Sequence, residues 1–329
     1  MLFRGHILGK YKVLAPLGSG GFGAVYLARD TWIDKEVAIK VPHRQNLNFT
    51  ELLREPRLLA ALDHPNIVSI TTAEKQDDVF FIVMEYIEGE TLETVISDSG
   101  NLEPRRAVDY ATQIGRALDH AHGQGVIHRD LRPANVLVSG AGVLKVADFG
   151  TSRFLEIAAH GTTVIGSPAY MAPEQFAGKA VFASDIYSLG VTMYQMVTGI
   201  LPYEPPTPND LDRLMSGDLV RPPRLRNRSV PKALDDVVMK ALAPELSNRY
   251  RRAAELLDDL EHAARSVRRS TPGSPRPGEP VLTGGNGARA GAATRRSARP
   301  TPSSARFCPL CHKPLHARAS RCPFCGESL

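Results

Sequence analysis

The sequence predicts an α+β chain in which a small strand-rich lobe is followed by a large helical one, then by a disordered linker and a very small cysteine-bearing module. Three observations carry this. Up to Met84 the chain runs mostly as short β-branched and small apolar stretches broken by glycine, and from Thr91 the apolar spacing becomes helical. After Arg265 the composition turns to Arg, Pro, Gly, Ser, Thr and Ala, with almost nothing to bury.

Taken in order, residues 12–41 read as strands around a glycine-rich turn that follows residues 14–17, with 24–28 and 36–41 as the next two. Residues 67–72 and 79–84 fit two further strands, and 51–62 between these pairs have helical spacing. Helices are expected at 104–122, 183–197, 232–242 and 253–265. A sheet lobe (11–84) joined to a helical lobe (90–263) through a short hinge (85–89) implies a cleft between them. Residues 264–306 are expected to be a disordered linker and 307–329 a separate module.

At 329 residues with 43% apolar composition, the chain has room for a domain of about 250 residues and a large core. Its net charge of +5 is unevenly spread. Residues 263–306 hold nine arginines against the single acid Glu279, a charge of +8, so the remainder is near −3 and the basicity belongs to the tail. All four cysteines lie between Cys308 and Cys325, a pattern that fits a reducing compartment and a metal site better than a disulfide framework. Residues 1–10 carry no apolar run ahead of a small-residue cleavage site, so no secretion signal is expected. The uncharged stretch 186–203 is barely long enough to span a bilayer and contains Gly190, Gly199, Pro202 and three tyrosines, so it reads as a buried core helix. A cytoplasmic location with no membrane association is expected.

Chemistry concentrates where the cleft should be. Gly18-Ser19-Gly20-Gly21-Phe22-Gly23-Ala24-Val25 is a GxGxxGxV run between two strands, which suits a flap whose backbone amides cover phosphates rather than a strand-to-helix dinucleotide turn. Val37-Ala38-Ile39-Lys40 ends an apolar strand on a lysine, and a buried lysine requires an anionic partner. Glu55 is the candidate carboxylate. Then come His128-Arg129-Asp130-Leu131-Arg132-Pro133-Ala134-Asn135, Asp148-Phe149-Gly150 thirteen residues after Asn135, and Ala172-Pro173-Glu174.

In that order these motifs resemble the protein kinase family, over roughly residues 11–263, and most closely the Hanks-type serine/threonine kinases of bacteria. The resemblance implies the two-lobed kinase fold, with a β-rich N-lobe and an α-helical C-lobe, and transfer of the γ-phosphoryl group of ATP to protein serine or threonine hydroxyls. It implies Asp130 as the group that accepts or orients the substrate proton. Asn135 and Asp148 become ligands of Mg²⁺ (or Mn²⁺), hard cations that take oxygen donors. Lys40, steadied by Glu55, would grip the α- and β-phosphates, with Gly18, Gly20 and Gly23 closing over them. Adenine would lie between Leu17, Val25 and Ala38 above and Leu137 below, against hinge backbone from Glu85 to Ile87, with Met84 as gatekeeper. Glu174 and Arg249 would form a buried ion pair, and Asp185 would hold the catalytic-loop backbone.

Two departures matter. Pro56 follows Glu55 inside the expected helix, where proline costs about 3 kcal/mol, so the helix is either kinked there or restarts at Pro56. Arg132 stands where serine/threonine kinases usually have lysine; its fork can neutralise the γ-phosphate but is not geometrically equivalent to an ammonium. Pro133 and residues 166–171 nevertheless resemble the serine/threonine class. The resemblance also implies that Arg129, beside Asp130, lies in a basic pocket for a phosphorylated activation loop, with Thr162 and Thr163 as acceptors and self-association for trans-autophosphorylation.

In the tail, Cys308-Pro309-Leu310-Cys311 and Cys322-Pro323-Phe324-Cys325 are two CxxC knuckles ten residues apart, enough for one tetrahedral Zn²⁺ in a module too short to fold without it. The segment resembles a zinc ribbon. Its ligand stays open between protein, nucleic acid and a purely structural cap, with nucleic acid ranked lower because no aromatic platform accompanies the arginines. Rival readings of the whole chain are a pseudokinase scaffold, which only Pro56 favours, and a ribbon-centred binding protein.

Overall fold

Four consecutive buried residues, Val37 to Lys40, mark a strand covered on both faces, and the sheet is built around it. The fold is described from a computed structural model, which covers residues 2–20, 23–43, 53, 56–57, 59–149, 167–206, 210–270, 306–307 and 314–315. Strands β1 (Ile7–Leu8), β2 (Tyr11–Gly20), β3 (Gly23–Asp30), β4 (Lys35–Pro42), β5 (Ile70–Gln76) and β6 (Val79–Glu85) form one antiparallel sheet in the order β1-β2-β3-β4-β6-β5. Strand period 2 separates two faces. Val37 and Ile39 join Leu8, Tyr11, Ala28, Phe81 and Val83 in a core on one side. Ala38 and Lys40 therefore point the other way, and the register pairs Ala38 with Leu27 and Met84, and Lys40 with Val25 and Ile82.

The expected strand at 67–72 is displaced to Ile70–Gln76, because residues 66–68 pair elsewhere. Ile67 forms a parallel bridge with Val146, Val68 N–H donates to Val146 O at 2.9 Å and Val146 N–H to Asn66 O at 2.8 Å. Alternation alone cannot tell a ladder partner within a sheet from one in another lobe. Of the expected helix at 51–62, the Pro56 carbonyl accepts from Ala60 N–H at 2.8 Å, an i to i+4 helical bond, and Pro56 is buried. Glu55 lies outside the described residues.

β7 (Gly89–Thr91), β8 (Val136–Ser139) and β9 (Leu144–Val146) form a second, three-stranded sheet in the order β7-β8-β9. Its register sets Leu137 beside Thr91 on one side and Lys145 on the other. Helix α1 (Leu92–Ser99) follows, capped by Thr91, whose hydroxyl accepts from Thr94 N–H. The sequence reading had no element here; eight residues carry too little periodicity.

Helix α2 (Pro104–Gly123) buries Ala107, Ala111, Ile114, Leu118 and Ala121, a strict 4-3-4-3 spacing that explains why it was legible. Helix α3 (Phe182–Thr198) is buried nearly all round, as expected of a core helix. It stops at Gly199, whose left-handed φ of 76° and 1.8 Å approach of a would-be Cβ to Gly100 O leave room for no other residue. The short helices α4 (Leu211–Ser216) and α5 (Pro223–Arg226) precede α6 (Lys232–Ala241) and α7 (Ala253–Ser270), which runs on past Arg265. These helices and the second sheet share one large core. Among the described residues no helix is long and apolar enough to cross a membrane.

The chain divides into two units, 1–274 and 275–329. In the second, β10 (Arg306–Phe307) pairs antiparallel with β11 (Pro314–Leu315). The four cysteines lie outside the described residues.

Candidate active site

The catalytic-loop motif is positioned by a buried carboxylate. Asp185, 1% exposed on the first turn of α3, accepts from His128 N–H and Arg129 N–H, both at 2.8 Å, and from His122 Nε2 at 2.8 Å. Arg129 has φ +72°, a left-handed backbone that costs a side-chain-bearing residue roughly 1–2 kcal/mol. Two bonds hold it there: Asp185 takes its N–H, and its carbonyl accepts from Gln175 Nε2 at 2.9 Å. The expected role of Asp185 in bracing this loop matches the geometry. His122 and Gln175 went unnoticed in the sequence, since a helix-end histidine and a loop glutamine carry no motif.

His128 links the loop to the next motif. It is fully buried, its Nε2 donates to Ala147 O at 2.9 Å, and its ring packs on Phe149 with centroids 4.6 Å apart. Ala147 N–H in turn donates to Asn135 O at 2.9 Å, so the segment carrying Asp148 is stitched to the one carrying Asn135. Asp148 has φ +60°, the second left-handed residue in the cleft. Non-glycine strain of this kind persists where surrounding contacts over-determine it, which is typical of functional sites.

The polar side chains then meet across the cleft. Lys40 Nζ lies 2.7 Å from Asp148 Oδ1, joining small and large lobes over a sequence separation of 108 residues. Lys40 is only 7% exposed, so its charge requires such a partner. Asn135 Nδ2 donates to Asp130 O at 2.8 Å and to Asp130 Oδ2 at 3.2 Å, fixing the carboxylate. Arg132 Nη1 donates to Ser167 Oγ at 2.5 Å, and its Nη2 is 3.9 Å from Glu93 Oε1 on α1, a residue the sequence did not single out. The structure thus pairs Lys40 with Asp148 and Asn135 with Asp130, with the Ala147 to Asn135 backbone bond linking the two segments, while Arg132 contacts Ser167 and Glu93; the expected Lys40 to Glu55 pairing lies outside the described residues.

One face of the six-stranded sheet presents Val25, Ala38 and Met84, and on β8 Leu137 is the cross-strand neighbour of Lys145, on the face opposite the buried Val136 and Val138. Leu17 stands 48% exposed ahead of the glycine turn. The three motif glycines differ. A Cβ on Gly18 or Gly20 would meet nothing within 4 Å, whereas one on Gly23 would lie 2.4 Å from Val41 O. Gly23 is therefore required by the close approach of β3 to β4.

Below the cleft, Arg249 Nη1 and Nη2 form a two-pronged pair with Glu174 Oε1 and Oε2 at 2.7 and 3.1 Å, as expected from the sequence. Glu174 also accepts from Ser184 Oγ at 2.7 Å.

Residues 11–270 match the family model of the protein kinase domain. Serine/threonine-protein kinase PrkC of Bacillus subtilis is 38% identical over 271 residues, spanning 80% of this chain and 42% of that protein. PknB of Mycolicibacterium smegmatis, also named a serine/threonine-protein kinase, is 39% identical over 272 residues, 78% of this chain and 43% of that one. The chain thus spans about two fifths of the length of these relatives. Among solved structures, Rad53 1-466 in complex with AMP-PNP aligns with a TM-score of 0.65 at 25% identity, covering 76% of this chain and 64% of that one. With the motif residues gathered in one interlobe cleft and the family match covering most of its length, the chain belongs to the protein kinase family.

Proposed function

We propose that this chain is a serine/threonine protein kinase that transfers the γ-phosphoryl group of ATP to protein hydroxyls. The observation that carries the reading is the convergence of Lys40, Asp148, Asn135 and Asp130, one cation and three oxygen-bearing groups, in a cleft between two lobes. Phosphoryl transfer demands alignment and charge neutralisation more than covalent chemistry, and this set supplies both.

Each residue has a role in this proposal. Asp130, oriented by Asn135, takes the proton of the acceptor hydroxyl. The Asn135 amide nitrogen is committed to Asp130, which leaves its oxygen available, and that oxygen with a carboxylate oxygen of Asp148 would hold a divalent cation. This oxygen donor set suits Mg²⁺ or Mn²⁺, which would offset the charge of the phosphates when bound. Lys40 then exchanges part of its contact with Asp148 for the α- and β-phosphates. Arg132, one of whose fork nitrogens donates to Ser167, would neutralise the γ-phosphate. The backbones of Glu85 and Ile87 bind adenine, with Leu17, Val25, Ala38, Met84 and Leu137 as its apolar walls and Gly18, Gly20 and Gly23 as the flap.

Several finer readings belong to the same proposal. Thr162 and Thr163 are trans-autophosphorylated in a transient self-association, tested by intact mass after ATP incubation of the parent and a Thr162→Ala/Thr163→Ala variant; an equal phosphate count would refute it. Cys308, Cys311, Cys322 and Cys325 bind one structural Zn²⁺. The first pair falls in the connection between β10 and β11, two paired strands such as a ribbon knuckle uses. A cytoplasmic setting agrees with four thiols at metal-ligand spacing.

The deciding experiment is label transfer from radiolabelled ATP to a generic protein acceptor, followed by phosphoamino-acid analysis. Label on serine and threonine, abolished in Asp130→Asn, is the expected result. No transfer by the parent chain, or transfer unchanged in the variant, would refute the reading.

A further inference from the structure

Between α4 and α6 the charge of the chain changes abruptly. Residues 219–234 hold Arg221, Arg224, Arg226, Arg228 and Lys232 and no acid, although the chain outside its arginine-rich tail is near −3. No catalytic motif falls here. All four arginines are exposed, and Leu225 among them is 71% exposed. The acids that follow are engaged: Asp235 is buried and its Oδ1 accepts from the Arg224 backbone N–H at 2.8 Å, while Asp236 Oδ2 lies 2.7 Å from Lys232 Nζ. Among the described residues, Arg221, Arg224 and Arg228 pair with no carboxylate.

The segment is held firmly. Pro223 and Val230 are buried, Leu225 N–H donates to Pro222 O at 3.0 Å and Asn227 N–H to Pro223 O at 2.8 Å. Asn227 Nδ2 donates to Val197 O on the last turn of α3 at 2.7 Å, and Asn227 Oδ1 accepts from Ser229 N–H at 3.0 Å and Ser229 Oγ at 2.7 Å. Arg226 hydrogen-bonds the Tyr194 hydroxyl. The backbone that carries the arginines is thus fixed on α3 and α6, so a partner need not order it on binding.

The chemistry of the patch selects its partner. Exposed guanidinium forks suit carboxylates, which they can grip with two prongs. The bare leucine among them calls for an apolar side chain, which a peptide supplies and a phosphodiester backbone does not. Residues 219–234 contain no aromatic ring for bases to stack on, and a bilayer needs a broader apolar face than one leucine.

We propose that residues 221–228 are a docking surface for an acidic segment, carrying an apolar side chain, in the protein substrates of this chain. This rests on the kinase reading above and adds to it a substrate class. Helix α3 sets the spacing, because Asp185 near its start holds the catalytic loop and Val197 near its end holds Asn227. At 1.5 Å per residue these two anchors lie about 18 Å apart along the axis. An extended chain covers at most about 3.5 Å per residue, so a substrate that engages both needs roughly five or more residues between its acceptor hydroxyl and its acidic segment.

The first test is fluorescence anisotropy of a labelled peptide, Asp and Glu around a leucine, titrated with the full chain without nucleotide. Arg221→Gln/Arg224→Gln/Arg228→Gln should weaken binding roughly five- to fiftyfold, and Leu225→Ser roughly threefold. Arg105→Gln/Arg116→Gln/Arg252→Gln makes the same charge change at other exposed positions and should stay within about twofold. The second test is label transfer to a serine peptide joined to the acidic segment by a spacer of about two or about twelve residues. The long spacer alone should lower KM relative to a peptide without the segment, and the patch variant should erase that gain with kcat within about twofold. Equal losses in the patch and control variants, no loss in either, or an equal gain from the short spacer would overturn the proposal. So would patch-dependent binding of duplex DNA or of phosphatidylglycerol vesicles without patch-dependent binding of the peptide. A parent that transfers label to no acceptor would sink the kinase reading, whereas normal transfer with peptide binding indifferent to the patch variant would sink the docking surface alone.

Discussion

Truncating Glu174 should destabilise the large lobe more than any surface change. Arg249 has 0% side-chain exposure and Glu174 13%. A guanidinium has five N–H donors, and here each has an acceptor. Nε donates to Ala243 O at 2.8 Å, Nη1 to Glu174 Oε1 and to Ala183 O at 3.0 Å, and Nη2 to Glu174 Oε2 and to Pro244 O at 2.8 Å. The guanidinium also lies over the Tyr187 ring, 4.9 Å from its centroid. Glu174→Ala removes the one carboxylate that, among the described residues, pairs with this buried cation and leaves two donors and the Ser184 hydroxyl without their acceptor. Breaking one side of a buried pair costs about 3–5 kcal/mol. At about 2–4 °C per kcal/mol for a domain of this size, the melting temperature should fall by roughly 6–20 °C. Circular dichroism melts at several scan rates, backed by urea titration at fixed temperature, read the effect. Arg249→Lys retains the charge with fewer donors in a different geometry and should fall between parent and Glu174→Ala. A shift below about 2 °C for Glu174→Ala would mean that water or another anion replaces the carboxylate, and the reasoning from an enclosed pair would fail.

Further outcomes follow from the same contacts. Asp185→Asn keeps one acceptor where the carboxylate serves His128 N–H, Arg129 N–H and His122. It should cost about 1–3 kcal/mol and lower kcat more than it changes KM for ATP; equal effects on both would argue against a role in holding the loop. Gly23→Ala places a methyl 2.4 Å from Val41 O, backbone against backbone, and should destabilise the small lobe by about 1–3 kcal/mol, whereas Gly18→Ala, in open space, should leave the melting temperature nearly unchanged. Burial raises the hydroxyl pKa of Tyr170 and Tyr187 from 10.0 to about 12, with Gln195 and Tyr203 as their respective hydrogen-bond partners. A raised folded-state value contributes stability that is fully present below pH 10 and lost as pH climbs from there through about 12. Phenolate absorbance from these rings should appear together with loss of the far-ultraviolet signal; titration of every tyrosine near pH 10 in a still-folded chain would contradict it.

Much of the site could be read from residue order. Asp130, Asn135 and Asp148 fall in short motifs whose spacing along the chain is itself the signal, and α2 and α3 declared themselves through the period and the length of their apolar positions. The Glu174 and Arg249 pair came from resemblance, and its geometry followed. Other features left no local trace. The second sheet is made of strands of three and four residues, too short for alternation to register. Residues 66–68 look like the start of a strand yet pair with β9.

Residue types, order and spacing alone determined the two-lobed architecture, the helices with strict periodicity and the identity of the polar groups that line the cleft. Tertiary structure alone decided which of these groups touch: Lys40 with Asp148, Glu85 with Lys145, Gln175 with the Arg129 carbonyl. The physical reason is range. Periodicity and capping act within a few residues, whereas an ion pair or a left-handed backbone at Arg129 is stabilised only when segments tens of residues apart arrive in one register and shut out water.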